Sequence, residues 1–572
     1  MKKLAMLTVK GAVGLLPLSV KRKLKQNTFL TELYSRSLRR SGLFYGFGSK
    51  RKRNALYKQF LKYQQTELGK HQYSHDDKKL NVVIVGSLDI EKTLSSLNSV
   101  QDKVAHVVAV TCNTSGTLDS VPTMQEAVAS CEKVWPTLFI QGGDTLSEFA
   151  MAEFIEAANQ CDLAYCDTDK QTNSTRFVSP RFLPDWNPDL QFTTAYINTG
   201  VVINSDCLTS LNTQPIQSIG ELVTFLWLQN QTLSVSHIPY TLVHVNQQAG
   251  VDTKAVADVA KRVNEIDSVT DVEHLAKLGV NRILWSIRHE PLVSLIIPTK
   301  DSWQLVKACI DSIRDKSLYS HYEIIVIDNG STEAESLAYF KSLEKISNVR
   351  VLTYPGAFNY SAINNFGVKH ANGEIIGLVN NDIEVINPEW LTYMVGHALR
   401  KDVGCVGAKL LYADKRVQHA GVVLGYGGGA GHAHKYFPSY HPGYLKRIAA
   451  THNFSAVTAA CLLVRKQVYE QVGGLNERDL AVAFNDVDFC LRVKNLGLRN
   501  VYCAEAELYH HESISRGLDI SPEKAARFNR ELTYLQTTWA EIIERDPAYN
   551  PNLTLRHENF TIKEVSAHAN NY

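Results

Sequence analysis

The chain has no CxxC pair and no closely spaced Cys/His cluster, although ten cysteines are scattered over its 572 residues. Structural zinc sites use closely spaced Cys and His ligands, and disulfide scaffolds are typical of short secreted chains. Neither kind of site is therefore expected to organise this protein. Single, scattered cysteines predict a reducing cytoplasm.

Long apolar runs are also missing, because no window approaches the roughly 18 to 20 continuous apolar residues of a spanning helix. An apolar run follows Met1–Lys3, but Lys10 and Pro17 interrupt it, and no small-residue cleavage pattern comes after it. We therefore expect a soluble or peripheral protein rather than a secreted or membrane-spanning one.

Positive charge is concentrated at one end of the chain. The first 70 residues hold 17 Lys or Arg against Glu32 and Glu67, whereas the whole chain has a net charge of only +2. Apolar positions in residues 1–78 recur at helical spacing, which predicts basic amphipathic helices. Attachment to an anionic membrane surface and packing as a solvated helical hairpin both remain open. Nucleic acid is disfavoured, because no recognised nucleic-acid module accompanies the charge.

Strand and helix patterns alternate from Leu80 onward, and the alternation restarts at about residue 291. The composition, 44% hydrophobic and 21% charged, suits a chain with more than one globular core. We predict an α/β protein with two tandem units. The predicted boundaries are a basic helical arm at 1–78, a first unit at 79–250, a helical linker at 251–290, a second unit at 291–520 and a helical tail at 521–572.

In the second unit, polar side chains stand where apolar strands end. LVSLIIPTKD ends in residues 299–301, EIIVIDNGS contains Asp328, and GEIIGLVNNDIEV ends in residues 380–382. Ligands of open parallel sheets lie at the carboxyl ends of strands, and hard oxygen ligands suit Mg²⁺ or Mn²⁺. The alternative is an Asx turn that caps the following helix.

Two further candidates follow along the chain. Asp486 and Asp488 begin an apolar-faced helix in FNDVDFCLRVKNLG, and YHHESISRG contains the adjacent His510 and His511. A carboxylate at this place could act as a general base for an attacking hydroxyl, and one imidazole could complete a metal shell. Ordinary helix capping and a structural His pair are the alternatives.

Several blocks between about residues 290 and 555, taken together and in order, resemble the bacterial family 2 glycosyltransferases. LIIPTKD resembles the family's nucleotide motif, DNGS its base-contacting loop and SAINNFGVKHANGEIIGLVNND its diphosphate and metal segment. AVAFNDVDFCLRV and ELYHHESISRG resemble the parts that carry the catalytic base and the terminal His. The resemblance implies a GT-A type fold, of the tandem-domain kind found in O-antigen, capsule and surface-polysaccharide biosynthesis.

Position by position, the resemblance makes Asp486 the general base and gives Asp382 and His510 as ligands of Mg²⁺ or Mn²⁺. The implied nucleotide-sugar residues are Pro298, Thr299, Asp301, Asp328, Asn365 and Asn381. Asp328 would contact uracil or thymine, and Glu512, Ser513 and Arg516 would line the phosphate side. The sequence departs from the family at Asn380 and Asn485, where relatives carry carboxylates.

The implied reaction is inverting transfer of a hexosyl or rhamnosyl group from a UDP- or dTDP-sugar to a lipid-linked glycan. It would take place at the cytoplasmic face of the bacterial inner membrane, where other polysaccharide assembly enzymes are further partners. A non-catalytic glycan-binding or scaffold subunit is the alternative. A nucleotidyltransferase is disfavoured, because LIIPTKD is no Gly-rich, basic triphosphate loop.

The first unit resembles the same family only faintly. FIQGGDTL offers Asp144 alone where an acidic cluster is expected, TCNTS stands in place of the DNGS loop, and no Asp pair precedes a helix near Leu222. Packing and chemistry depend on different residues. We therefore expect a non-catalytic unit that positions the acceptor or supports assembly.

Overall fold

The computed structural model describes residues 8–9, 11–13, 16–17, 20, 50–74, 77–111, 119–173, 176–213, 215–246, 253–262, 269–511 and 521–565. Its helices are α1 Lys50–Leu68, α2 Ile90–Leu97, α3 Met124–Ser130, α4 Ala150–Ala158, α5 Pro188–Thr194, α6 Ile219–Gln229, α7 Thr253–Arg262, α8 Trp303–Lys316, α9 Ala334–Leu343, α10 Tyr360–Lys369, α11 Trp390–Ala398, α12 Lys466–Gln471, α13 Asn485–Lys494, α14 Pro522–Thr538 and α15 Ala540–Glu544. Within these ranges, no helix is long and apolar enough to cross a membrane.

The strands fall into two large sheets and two small ones. They are β1 Leu80–Val85, β2 Val104–Val110, β3 Ser120–Val121, β4 Thr137–Gln141, β5 Thr145–Leu146, β6 Leu163–Asn173, β7 Arg176–Arg181, β8 Val201–Ile203, β9 Val235–Val245, β10 Val269–Leu275, β11 Val280–Trp285, β12 Val293–Thr299, β13 Tyr322–Asp328, β14 Val349–Thr353, β15 Ile375–Val379, β16 Ile383–Val385, β17 Val403–Leu411, β18 Val417–His419, β19 Val422–Leu424, β20 Ala430–His432, β21 His452–Phe454, β22 Cys461–Arg465 and β23 Arg499–His510.

The two large sheets have the same strand order. The first runs β3-β2-β1-β4-β8-β6-β9-β5 and the second β14-β13-β12-β15-β22-β17-β23-β16, so these eight strands of one sheet correspond in order to eight strands of the other, while β7, β18 and β21 pair outside this order. In both sheets the strand after the parallel block, β8 or β22, is antiparallel to its neighbours. The predicted α/β class with two tandem units is confirmed.

The parallel strands are buried because helices cover both faces of each sheet. β13 is buried along its whole length and β12 at all but one position, as their β-branched, apolar sequences predict. Parallel strands that end together place their last residues along one edge of the sheet. This edge of the second sheet carries the candidate site.

The structure differs from the prediction in two segments. Residues 251–290 were expected to be a helical linker, but helix α7 is followed by the antiparallel hairpin β10–β11. Gly279 in its turn has φ +59°, a conformation that favours glycine. The tail at 521–572 is helical only through α14 and α15, and then continues irregularly to residue 565 with one isolated bridge, Leu553 to Ile562. Of the basic arm, α1 is described, whereas most of residues 1–49 lie outside the described ranges.

A buried polar interface joins the two units. Arg400 donates to Asp189 at 2.6 Å, and both side chains are almost fully buried. Burial opposes ionisation of Asp189, but Arg400 and Arg499 outweigh it and hold the pKa of that carboxyl below its ordinary value. Asn453 donates to the other Asp189 oxygen at 2.7 Å. The interface is therefore specified by paired charges and amides rather than by apolar area alone.

Candidate active site

Asp382 and His510 meet at the edge of the second sheet. Asp382 stands between β15 and β16, and antiparallel pairing of β16 with β23 sets Ile383 opposite His510. The His510 Nε2 atom lies 3.1 Å from Asp382 Oδ1, and both side chains are largely buried. The sequence prediction that these two residues come together is therefore met by the geometry.

Two neighbours orient the His510 ring. Gln418 Oε1 lies 2.6 Å from Nδ1, and the Asn380 amide nitrogen lies 3.2 Å from Nε2. With the amides as assigned, Nδ1 carries the hydrogen, and Nε2 lies between the Asn380 amide and the Asp382 oxygen. At 3.1 Å from Asp382 Oδ1, Nε2 either donates a proton to that oxygen or shares a cation with it.

This spacing fits a divalent cation. Adjacent ligands of an octahedral ion, each about 2.1 Å from it, lie about 3.0 Å apart. Within the described ranges, no group of three or more His, Cys, Asp or Glu could hold a metal ion. Asp382 and His510 are thus a pair of possible ligands rather than a closed metal site.

Asp486 lies in the first turn of α13. Burial raises the pKa of this carboxyl, while hydrogen bonds from the Ala459 N–H, at 3.1 Å to Oδ2, and from Thr458 oppose the shift. Phe484 caps the helix with φ +59°, a left-handed conformation that costs energy in a non-glycine residue. A buried carboxyl with a raised pKa is a candidate general base.

Asp488 lies two residues further along α13 and has a different role. Its Oδ2 accepts from Arg492 Nε and its Oδ1 from the Trp539 indole, each at 2.9 Å. Its side chain is 1% exposed. Asp488 therefore links the C-terminal segment to α13 through Trp539. Asp486 is then the candidate base on this helix.

A short network connects the base to the His–Asp pair. The Tyr360 hydroxyl lies 3.0 Å from Asn380 Oδ1 and 3.2 Å from the Ala459 carbonyl oxygen. Asn380 in turn contacts His510, and the Ala459 N–H binds Asp486. Asn380, at the position where the resembled family carries a carboxylate, thus links the Tyr360 hydroxyl to the His510 ring through its side-chain amide.

The predicted nucleotide residues lie beside this pair at the same sheet edge. Thr299 Oγ1 accepts from the Asn381 amide at 3.0 Å, and Thr299 is paired with Asp328 across β12 and β13. Pro298 precedes Thr299 and is paired with Ile327. Pro298, Thr299, Asp328 and Asn381 are therefore brought together.

Asp301 and Asp328 also shape the loop that leads to α9. Asp328 Oδ1 accepts from the N–H and the hydroxyl of Ser331. Asp301 has φ +51°, and its Oδ1 accepts from the N–H groups of Thr332 and Glu333, which hold its pKa below the ordinary value. A nucleotide role for these carboxylates remains a prediction.

Asn365 does not have the predicted nucleotide-binding role. Its amide nitrogen donates to the Leu475 carbonyl and to Glu477, and its oxygen accepts from the Tyr469 hydroxyl and the Leu475 N–H. These four bonds use the whole hydrogen-bonding capacity of the side chain. We correct the prediction accordingly: Asn365 holds the loop at 469–477 and has no group left for a ligand.

Sequence reasoning missed Gln418 and Tyr360, because each acts through a partner distant in the chain. The available signal was weak, namely polar groups in the otherwise apolar stretches around β18 and α10. Gln418 is 3% exposed, which requires a partner for its amide. The predicted phosphate-side residues Glu512, Ser513 and Arg516 lie outside the described ranges.

The first unit carries a counterpart of the aspartate and the histidine. Asp144 stands between β4 and β5 as Asp382 does between β15 and β16, and Thr145 is paired with His244 as Ile383 is with His510. The surroundings differ, since Asp144 is fully buried and accepts from the Thr199 hydroxyl and the Asn246 N–H. Burial raises its pKa to about 6.

His244 also has a different partner. Its Nδ1 lies 2.8 Å from Asp169, whose other oxygen accepts from the Tyr57 hydroxyl of α1 at 2.5 Å. The His244 ring stacks on Phe177. In the first unit, the histidine therefore helps to fasten α1.

The first unit has no acidic residue at the position that corresponds to Asp486. Helix α6 precedes β9 as α13 precedes β23, and its second residue is Gly220 where α13 has Asp486. A Cβ at Gly220 would lie 3.0 Å from a methyl carbon of Val256 in α7. Helix α7 thus packs over the place where a base would stand.

Comparison with known proteins finds that residues 294–473 match the family described as Glycosyl transferase family 2. The uncharacterized protein y4gI of Sinorhizobium fredii is 41% identical over 432 residues, which is 72% of this chain and 47% of that protein. The O-antigen biosynthesis protein RfbC of Myxococcus xanthus is 33% identical over 487 residues, 80% of this chain and 36% of that protein. The chain thus spans less than half the length of both relatives. Among solved structures, mannosyltransferase PcManGT from Pyrobaculum calidifontis, in complex with GDP-Man and Mn²⁺, is 14% identical with a TM-score of 0.33 over 46% of this chain and 72% of that chain.

Proposed function

We propose that this chain, whose residues 294–473 match the family described as Glycosyl transferase family 2, is an inverting glycosyltransferase of bacterial surface-polysaccharide biosynthesis. The donor is a UDP- or dTDP-sugar, and the acceptor is a growing, lipid-linked glycan. The observation that carries the proposal is the His510–Asp382 pair joined through Asn380, Tyr360 and Ala459 to Asp486.

Asp486 removes the proton from the acceptor hydroxyl as that oxygen attacks the anomeric carbon. A carboxyl whose pKa is raised by burial is a stronger base than an ordinary one. Attack opposite the leaving diphosphate gives inversion in a single displacement. Thr299, Asp328 and Asn381 hold the nucleotide at the sheet edge.

A divalent cation held by Asp382 and His510 supplies positive charge beside the leaving diphosphate when it is bound. The residues fit such an ion, because Nε2 and the carboxylate oxygen lie at the spacing of adjacent metal ligands. Gln418 keeps the proton on the far nitrogen of the ring, which leaves Nε2 as a ligand.

The first unit is non-catalytic in this proposal and serves acceptor placement or assembly. Asp144 is buried with its own hydrogen-bond donors, and Val256 covers the position that corresponds to the base. The cytoplasmic inner-membrane face is the proposed location, supported by the basic first 70 residues.

The test is a donor screen with the purified full chain, Mg²⁺ or Mn²⁺ and a lipid-linked oligosaccharide, read by product mass. With the donor identified, Asp486→Asn should lower transfer by about 100-fold or more while leaving thermal stability nearly unchanged. Asp488→Asn is the matched control on the same helix. It should lower the melting temperature but keep transfer per folded molecule.

Full activity of Asp486→Asn would reject the base. Failure of the unmodified chain to transfer any sugar would favour the scaffold alternative instead.

A further inference from the structure

Two partly exposed aromatic rings lie beside the loop that leads to the proposed base. Phe484 directly precedes α13, whose first turn carries Asp486, and Phe528 lies on α14. The two ring centroids are 5.4 Å apart, and the ring planes are inclined by 45°. Phe528 is 39% exposed, and Phe484 is also partly exposed. The pair therefore offers apolar surface that another molecule can reach, next to the start of α13.

The exposure of Phe528 is unusual for its place on α14. Leu532 follows it by one turn on the same helix face, and the neighbouring Leu535 is fully buried in the core. An aromatic side chain on the packed face of a helix is ordinarily covered. The exposed part of the Phe528 ring is therefore a gap in the packing beside Phe484, and not a position on the outer face of the helix.

Glu531 of α14 fixes the backbone that leads to Phe484. Its carboxylate is buried and accepts from the N–H groups of Val482 and Ala483, at 2.9 and 3.1 Å. Arg527 lies 3.7 Å from the same carboxylate and balances its charge. The next residue, Phe484, has φ +59°, a conformation that only glycine adopts freely. The position of the Phe484 ring is therefore set by α14 before any ligand binds.

A glycine-rich loop borders the two rings. Residues 425–429 connect β19 and β20, and Gln536 of α14 donates to the Gly428 carbonyl at 2.7 Å. A Cβ at Gly429 would lie 2.7 Å from a side-chain carbon of α14 and 3.5 Å from two ring carbons of Phe484. The loop therefore packs against Phe484 and α14 only because position 429 has no side chain.

The position of the rings indicates which substrate they contact. The predicted nucleotide residues lie at the ends of β12 and β13, whereas the acceptor hydroxyl must reach Asp486 in α13. The sugar unit that carries this hydroxyl must therefore lie close to the start of α13. One face of a pyranose ring carries mainly C–H groups, and such a face packs on an aromatic ring while the hydroxyls at its edge keep their hydrogen bonds.

We propose that Phe484 and Phe528 form an aromatic platform on which the C–H face of the acceptor pyranose packs while its hydroxyl reaches Asp486. This inference rests on the proposed function and adds to it the residues that bind the acceptor sugar. Both residues lie outside the family match at 294–473, so that match assigns them no role. The aromatic platform takes no part in donor binding or in proton removal.

The kinetic test changes the more exposed ring. With the donor and acceptor identified by the screen, Phe528→Ala should raise the KM for the acceptor about fivefold to tenfold, because the sugar loses an aromatic contact. The KM for the donor, and the rate of donor hydrolysis without acceptor, should stay within about twofold. Phe528→Trp keeps an aromatic face and should keep the acceptor KM. An unchanged acceptor KM in Phe528→Ala, or equal changes in both KM values, would overturn the proposal.

Leu318→Ala is the control for loss of an exposed apolar side chain. Leu318 is 68% exposed and precedes β13, so it lies at the opposite edge of the second sheet. This change should leave both KM values within about twofold, and thermal unfolding checks that each variant folds. A rise in the acceptor KM equal to that of Phe528→Ala would show that the effect is not local and would overturn the aromatic platform.

A binding measurement separates this inference from the proposed function. Saturation-transfer NMR on the full chain, without donor, uses the methyl pyranosides of glucose, galactose, rhamnose and N-acetylglucosamine, together with octyl glucopyranoside. At least one of them should receive saturation at its ring C–H protons, and Phe528→Ala should reduce this signal by about half or more.

Transfer confined to the octyl chain would mean that the rings bind a lipid and would overturn the proposal. Absence of transfer to every pyranoside would overturn it as well. If the unmodified chain transfers no sugar in the donor screen but the pyranoside signal falls in Phe528→Ala, the aromatic platform stands as a sugar site and only the proposed function fails.

Discussion

The two α/β units place an aspartate and a histidine at corresponding positions of sheets with one strand order. In the second unit, Asp382 and His510 lie 3.1 Å apart at a sheet edge. In the first, Asp144 is closed off by Thr199 and Asn246, and His244 bonds Asp169 instead. Both units have the same strand order because packing depends on the strands, whereas chemistry depends on an open sheet edge and a base.

The largest expected difference is in transfer. Asp382→Asn should reduce transfer by more than about 100-fold, because even residues that only support a metal ligand cost about 10–100-fold when changed. Asp144→Asn, the same change at the corresponding position, should leave transfer nearly unaltered. The measurement is the initial rate with the identified donor at saturating Mn²⁺.

A strong loss in Asp144→Asn, with its melting temperature retained, would contradict a non-catalytic first unit. A small loss in Asp382→Asn would remove the cation from the mechanism.

The next effect concerns the contact between the units. Asp189→Ala leaves Arg400 buried without its carboxylate, which should lower the free energy of unfolding by about 3–5 kcal/mol. The Asp189 pKa is depressed, so its contribution is present above the unfolded value of about 3.9 and disappears as pH falls through the folded value. Denaturant unfolding at pH 7 measures the loss.

Asp414→Ala is the control, because its partner Arg416 is two residues away in an exposed turn. It should change stability by less than about 1 kcal/mol. Equal losses in the two variants would mean that the buried pair does not join the units.

A smaller effect is expected at Gln418. Gln418→Leu removes the acceptor of the His510 ring proton, which should weaken cation binding about tenfold. Titration with Mn²⁺ followed by electron paramagnetic resonance measures this without turnover. Gln418→Glu restores an acceptor and should recover most of the affinity; failure of both variants alike would point to packing instead.

The smallest effect is a shift in pH dependence. Transfer needs the Asp486 carboxylate, and burial raises its pKa, so kcat/KM should fall with decreasing pH at a value above the ordinary carboxyl range near 3.9. A rate profile from pH 4 to 8 measures this. An acid limb at or below the ordinary value would contradict the buried base.

The sequence by itself determined the strands, the tandem units and the residues that meet at the site. Apolar runs such as β12 and β13 are typical of buried parallel strands. The polar residues that end such strands share one edge of the sheet, so the sequence placed Thr299, Asp328, Asn381 and Asp382 at that edge. Asp486 and His510 followed from the family resemblance, and the structure brings His510 to Asp382.

Only the tertiary structure decided which polar groups are already used. In the sequence, Asn365 and Asp488 both look available for a ligand. In the structure, partners distant in the chain use the hydrogen-bonding capacity of Asn365 and bury Asp488. The contacts of Gln418 and Tyr360 depend on segments that meet only after folding. Hydrogen-bond capacity and burial are properties of three-dimensional neighbours, and a linear pattern does not contain them.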